Sequence, residues 1–283
     1  MTKTLTTPFE LDLPLPTAIV GWGLTGQSIY KLLMGIGIPE SKILTFDEKD
    51  PGARFCQAST LLLQNPKSLI VSPGVPLSLA WIQDFQNRGG FVTSELSLAN
   101  SLLTEEKVIA VTGSIGKSTC VSLLQAGLLQ FSPDSFVGGN LGFPLADYVL
   151  KKTQGHPLAP WVVLELSSYQ LENFNNLRAS LSLITYLTPN HLERYANLEK
   201  YYETKWSLVS KTQGPVVINQ NGGDLLAFAH RHPDPVALLV ERLPSRQKFT
   251  LVHGDVVVDR YVPDEHVILI LSLASILAAK LTI

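Results

Sequence analysis

One short stretch limits what this chain can fold into more than any other. An apolar run, Val108-Ile109-Ala110-Val111, leads into Thr112-Gly113-Ser114-Ile115-Gly116-Lys117-Ser118-Thr119. Bare backbone N–H groups can grip a phosphate there, and glycines let the chain approach it closely. A helix N-terminus adds a favourable potential for the anion. Lys117 then reaches the outer phosphates, and the Ser118 hydroxyl can ligate Mg²⁺. A chance strand–glycine–helix turn explains the glycines but not the Lys-Ser-Thr that follows them. The loop is shorter than the usual P-loop spacing.

Apolar runs alternate with helical patterns along the chain, which indicates an α/β fold with parallel sheets. The first runs are 17–20, 42–46, 68–71 and 91–93, followed by a helix and linker over 95–107. We expect a first, Rossmann-like parallel-sheet domain over 1–104. A second, P-loop ATPase-type α/β domain is expected over 105–283. Its strands are read at 108–111, 161–166, 181–187, 215–218 and 236–240, with helices at 116–130 and 199–211. His253-Gly254-Asp255, between two short apolar runs, reads as a hairpin turn. Segment 267–283 is nearly all apolar but carries Lys280. It is short for a membrane span and reads as a buried helix, the rival being a tail anchor.

A second glycine motif, Gly21-Trp22-Gly23-Leu24-Thr25-Gly26, follows the first strand, and Asp47 ends the next. The pattern matches the dinucleotide fingerprint, with Asp47 about where a ribose partner belongs. Its chemistry is the approach of a diphosphate to a helix start. It does not specify the nucleotide, and a tight βα turn would need the same glycines. Asp47, Ser72, Gly113, Glu165 and His191 all fall near predicted strand ends, where ligands collect in open parallel sheets.

Glu165 opens the string Glu165-Leu166-Ser167-Ser168-Tyr169-Gln170-Leu171-Glu172. A carboxylate there can hold Mg²⁺ beside phosphates; Ser167 and Ser168 equally suit a helix cap. A lone histidine such as His191 is more often structural than a ligand. Lys205, within Tyr201-Tyr202-Glu203-Thr204-Lys205-Trp206, reads by itself as a solvated face.

The chain is 45% hydrophobic and 16% charged, enough apolar surface for an ordered core. Its net charge of −2 and lack of a basic run exclude an electrostatic footprint for nucleic acid. Cys56 and Cys120 are expected as buried free thiols in a reducing compartment. Segment 1–16 lacks the apolar core of a signal peptide.

At these residues the sequence resembles the Mur ligases of peptidoglycan synthesis, and within them the D-glutamate-adding branch. The resemblance is carried by Gly21 to Gly26, Ser72-Pro73-Gly74, Thr112 to Thr119, Gly138-Gly139-Asn140-Leu141-Gly142, the 165–172 string, Asn190-His191-Leu192-Glu193-Arg194-Tyr195 and Tyr201 to Lys205. These segments stand in the family's order at near-family spacing and cover most of the chain.

The resemblance implies a cytoplasmic, ATP-dependent ligase. It joins D-glutamate to UDP-N-acetylmuramoyl-L-alanine through an acyl phosphate. Gly113, Ser114, Gly116, Lys117, Ser118 and Thr119 would bind ATP, with Lys117 on the γ-phosphate. Leu24, Thr25 and Ser72 would hold the uridine diphosphate, and Glu48 and Lys49 would lie near the uracil or its diphosphate. Asn140 and His191 would reach toward the substrate or metals. Ser118 and Glu165 would hold the Mg²⁺ shared with ATP. Carbamylation of Lys205 by CO₂ would make it an anionic ligand for a second Mg²⁺ beside His191. No nucleic acid or membrane partner is implied.

The chain departs from the family at several points. Ile115 stands where the family has Asn, and Asn190 where it usually has Asp. After His266, Val267 and Ile270 replace two Asn whose amides read adenine; neither side chain can hydrogen-bond. The family's third domain, which binds the incoming amino acid, has no counterpart before Ile283, so either a fragment or a shortened, inactive relative is expected. Weak ATP binding and no completed reaction are expected with it. Two other readings are a catalytically dead UDP-sugar-binding protein and an NAD-dependent oxidoreductase; the second leaves Lys117 without a purpose.

Overall fold

The computed structural model describes residues 11–129, 132–219 and 221–232 in full, and the backbone of 237–240, 250–253 and 256–259. Among these, one compact unit holds the chain up to Glu106 together with Gly138–Pro160 and Tyr169–Leu177. The other holds Lys107–Val137, Trp161–Ser168 and the chain from Arg178 onward.

The first unit alternates strands and helices: β1 (Thr17–Val20), α1 (Leu24–Gly35), β2 (Ile43–Phe46), α2 (Ala58–Leu62), β3 (Ser68–Val71), α3 (Ala80–Asn87), β4 (Phe91–Thr93) and α4 (Glu95–Ser101). The four strands form a parallel sheet in the order β2-β1-β3-β4. Every residue of β1, β2 and β3 is buried, as a parallel sheet covered on both faces requires. Ala18, Val20, Leu44, Phe46, Leu61, Leu69, Val71 and Ile82 pack as one cluster. Chain order reverses between β1 and β3, which opens a crevice beyond their carboxyl ends.

The chain continues through β5 (Lys107–Thr112), α5 (Lys117–Leu128), β6 (Phe136–Gly139), α6 (Leu145–Thr153), β7 (Trp161–Glu165), α7 (Ser168–Leu171), β8 (Leu181–Ile184), α8 (Leu198–Ser210), β9 (Val216–Asn219), α9 (Leu225–Arg231) and β10 (Ala237–Val240). The second sheet runs β10-β9-β8-β5-β7-β6. Here the order reverses between β5 and β8. The expected hairpin is present as β11 (Thr250–His253) paired antiparallel with β12 (Val256–Asp259).

The helix starts differ in a way that bears on ligand binding. Ser94 caps α4 by accepting from the Ser97 N–H at 3.1 Å, and Asn197 caps α8 by accepting from Lys200 N–H at 2.8 Å. By contrast, α1 begins after Gly23 and α5 after Gly116 without a side-chain cap. Their first N–H groups are left for another acceptor.

Most expected strands lie within a residue or two of their predicted bounds, and β1, β3 and β4 coincide with them. The run read as a strand to 187 stops at Ile184, so His191 is well beyond the strand end. Cys120 is a buried free thiol, pushed up to about 12 by its burial. Cys56, expected to be buried, is instead exposed, because it lies in the loop between β2 and α2. Among the described residues no helix is long and apolar enough to cross a membrane. The segment 267–283, with His266, Val267, Ile270 and Lys280, lies outside the described residues.

Candidate functional sites

Each unit carries a candidate site where its strand order reverses. In the first unit, a pocket of about 600 Å³ opens beyond β1 and β3. Leu24 and Thr25, at the uncapped start of α1, form one part of its lining. Asp47, Glu48 and Lys49 follow β2, and Ser72 to Pro76 follow β3. Gly139, Asn140, Gly142 and Pro144 close another side, with Gln170.

Close packing explains the glycines. A Cβ on Gly26 would collide with the Gly21 carbonyl oxygen, so only glycine lets α1 start this near the end of β1. The Ser72 hydroxyl donates to that same carbonyl at 3.1 Å, and its N–H donates to Val20 O at 2.9 Å. The loops after β1 and β3 are thereby tied together across the switch point.

Asp47, at the pocket, also ties its own loop together. Its Oδ2 accepts from the Trp22 N–H at 2.9 Å, and its Oδ1 from the N–H of Lys49 at 2.9 Å and of Asp50 at 3.0 Å. Burial would raise its pKa, but these amides and the Lys49 charge outweigh it and hold the carboxyl below its usual value. The carboxylate organises the 47–50 loop while still lining the pocket.

In the second unit the loop between β5 and α5 lies against the segment after β8. Gly113 adopts φ +149°, and a Cβ there would collide with Thr185 Oγ1. Ser114 N–H donates to Tyr186 O at 2.7 Å, and Ser114 Oγ donates to Thr188 O at 2.9 Å. The Tyr201 hydroxyl, on α8, donates to Ser114 Oγ at 3.1 Å. The loop is thus held on one side by its neighbours, while Ile115, Ser118 and Thr119 are exposed.

Two lysines meet at this loop. Lys117 Nζ donates to Gly113 O at 3.0 Å, and Lys205 Nζ donates to the same oxygen at 2.9 Å. Lys205 is only 2% exposed, which overturns its reading as part of a solvated face. Burial, reinforced by the Lys117 charge, pulls its amine down to about 7. Burial also lowers Lys117, and the carboxylate of Glu165 opposes that shift. Glu165 is itself buried at the end of β7, level with Val111 of β5.

His191 is exposed, with a backbone φ of +53°. Its Nδ1 lies 3.5 Å from Glu193, and its ring centroid is 6.4 Å from that of Tyr201. Among the described residues no cluster of three or more His, Cys, Asp or Glu forms a ready metal cage. Mg²⁺ needs no such cage, since it binds through one or two carboxylates plus phosphate and water.

The first pocket therefore gathers Leu24, Thr25, Glu48, Lys49, Ser72 and Asn140. The loop of the second unit gathers Gly113, Ser114, Gly116 and Lys117, with Glu165 and Lys205 beside it. Residue reading had not singled out Gln170, Pro144 or the 75–79 stretch of the pocket, nor Thr185 and Tyr201 at the loop. Gln170 lies inside the 165–172 string, where its residue type carries no signal that separates it from its neighbours.

Residues 111–236 match the family described as the Mur ligase middle domain. A UDP-N-acetylmuramoylalanine–D-glutamate ligase from Parasynechococcus marenigrum is 33% identical over 228 residues, covering 74% of this chain and 49% of that protein. The ligase of the same description from Myxococcus xanthus is 38% identical over 179 residues, covering 62% of this chain and 38% of its own. The chain thus spans about half, or less, of the length of these relatives. Among solved structures, a murein peptide ligase from Psychrobacter arcticus aligns with TM-score 0.54 at 15% identity, over 92% of this chain and 64% of that one. The UDP-N-acetylmuramate:L-alanyl-gamma-D-glutamyl-meso-diaminopimelate ligase of Neisseria meningitides aligns with TM-score 0.53 at 15% identity, over 79% and 76%. At that identity the structures speak for the fold.

Proposed function

Because this chain belongs to the Mur ligase family, we propose that it forms the UDP-sugar-binding and ATP-binding parts of a ligase that adds D-glutamate to UDP-N-acetylmuramoyl-L-alanine. The observation that carries the reading is the pocket beyond β1 and β3. Of the seven residues that the family resemblance assigns to the UDP-sugar, six line that one cavity, His191 being the exception. A cytoplasmic location goes with this reading.

In the proposed reaction the substrate carboxylate oxygen attacks the γ-phosphorus of ATP, the bond to ADP breaks, and an acyl phosphate forms. The amine of D-glutamate then attacks the acyl carbon, phosphate leaves with the carbon–oxygen electron pair, and the amine loses a proton. The chain's contribution is positioning and charge. Free N–H groups at the start of α5 face the phosphates. Lys117 exchanges its Gly113 carbonyl contact for the γ-phosphate and offsets charge as the bridging bond breaks. Ser118 and Glu165 suit Mg²⁺, which would neutralise phosphate charge when bound.

Lys205 suits carbamylation by CO₂ on two counts: burial draws its amine down to about 7, so a substantial share is unprotonated near neutral pH, and Gly113 O fixes its direction. The carbamate, with His191, would then suit a second Mg²⁺. Ile115 favours the reading of a catalytically inactive UDP-sugar-binding relative, since an exposed apolar side chain stands at the loop tip where the family offers an amide. Calorimetric titration with UDP-N-acetylmuramoyl-L-alanine, NAD and Mg·ATP tests these readings together. The proposal expects the UDP-sugar and ATP to bind; NAD binding without a response to the UDP-sugar overturns it, and UDP-sugar binding without ATP binding favours the inactive relative.

A further inference from the structure

The helix α6 starts directly after the pocket wall formed by Gly139, Asn140, Gly142 and Pro144, and no side chain of its own caps it. Its cap comes from another helix. Glu95, in the first turn of α4 and only 3% exposed, accepts from the Ala146 N–H through Oε1 at 2.6 Å. An amide at a helix start that loses such an acceptor inside the protein is left without water to replace it.

The same helix α4 grips the other segment of that wall. The hydroxyls of Ser94 and Ser97 donate to Asn173 O at 2.7 and 3.0 Å. Asn176 Nδ2 donates to Ser97 O at 2.8 Å. Gln170, three residues before Asn173, lines the pocket. Two segments far apart in sequence therefore meet at the pocket because both are fastened to α4.

We propose that Glu95 is a positioning residue for the UDP-sugar pocket: its carboxyl oxygen, by capping α6, holds the wall that carries Asn140 and Pro144. Glu95 touches no pocket ligand itself; it acts through the α6 start and the turn before it, which is closed by the Gly139 N–H donating to Phe143 O at 3.0 Å. The inference rests on the reading of this pocket as the UDP-sugar site.

The test uses the whole chain and two measurements. Calorimetry with UDP-N-acetylmuramoyl-L-alanine compares the native protein with Glu95→Ala, Glu95→Gln, Asn140→Ala and the Glu95→Ala/Asn140→Ala double variant. Hydrogen exchange follows the amides of 139–147 without ligand. Glu95→Ala is expected to weaken binding about tenfold and to speed exchange at Ala146. Glu95→Gln, whose amide oxygen still accepts, restores both. The double variant loses less than the sum of the singles, because both act on one wall. If Glu95→Ala does not fold, Glu95→Asp, which draws the carboxylate back from α6, takes its place with the same expectation. Unchanged affinity, or full additivity with Asn140→Ala, overturns the inference while leaving the pocket reading intact. A native protein that fails to bind the UDP-sugar overturns the pocket reading and the positioning role with it.

Discussion

Lys117 and Lys205 donate to one acceptor, the carbonyl oxygen of Gly113, at 3.0 and 2.9 Å. Two ammonium groups on one oxygen repel, and the more buried of them gives up its proton more readily. That is Lys205, drawn down to about 7 by burial and then by Lys117. Removing the Lys117 charge should therefore raise the pKa of Lys205 while leaving it below 10.5, since burial remains. Titration of the Lys205 side-chain carbon signals in Lys117→Ala, by NMR, measures this. A pKa that stays put or falls would mean the two amines do not sense one another.

The same variant should lose nucleotide affinity. A charge-assisted contact to phosphate contributes about 1.5–3 kcal/mol, so the loss should exceed roughly tenfold. The fold should survive, because Lys117 is only half-buried and its hydrogen bonds go to its own loop. Calorimetry with Mg·ATP and a thermal melt settle both points. Unchanged affinity would remove Lys117 from the phosphate site.

Gly26→Ala should damage the other site. The added methyl meets the Gly21 carbonyl, a backbone atom that cannot rotate away, so α1 must shift from the end of β1. Overpacking of this kind costs about 1–3 kcal/mol. It should also displace Leu24 and Thr25 from the pocket and weaken UDP-sugar binding. A variant with native melting temperature and native UDP-sugar affinity would show that the close approach is not needed.

The two phosphate-type loops were legible because each joins an apolar strand to a helix start through glycines whose purpose is local. Lys205 was legible only through the family resemblance, yet helical spacing holds the missing signal. Tyr201, Lys205, Leu208 and Val209 are all buried residues of α8, at the spacing i, i+4, i+7 and i+8 of one helix face. Read that way, a lysine in a buried stripe stands out. Pro144 and Gln170 had no comparable signal, since they reach the pocket through the long-range bonds of α4. The strand β6 was missed because Gly138 and Gly139 make up half of it, and glycine carries little strand preference.

Glu95 should make the protein less stable as pH rises through neutrality. Burial, partly offset by the Ala146 N–H, raises its carboxyl to about 7 from 4.5. Between those values the folded state holds a proton that the unfolded state has released. Stability from this group is therefore complete below pH 4.5, falls as pH rises toward 7, and is level above it. The span corresponds to about 3.5 kcal/mol at most, taking roughly 1.4 kcal/mol per pH unit. Asp147, in the first turn of α6, adds to the upward shift. Glu95→Gln removes the proton exchange while keeping an acceptor for Ala146. The variant should match the native protein near pH 4.5, exceed it at pH 8, and show a shallower fall between the two. Urea unfolding across pH 4.5–8 reads this directly. Equal slopes for the two proteins would show that Glu95 ionises in the folded state as it does in the unfolded chain.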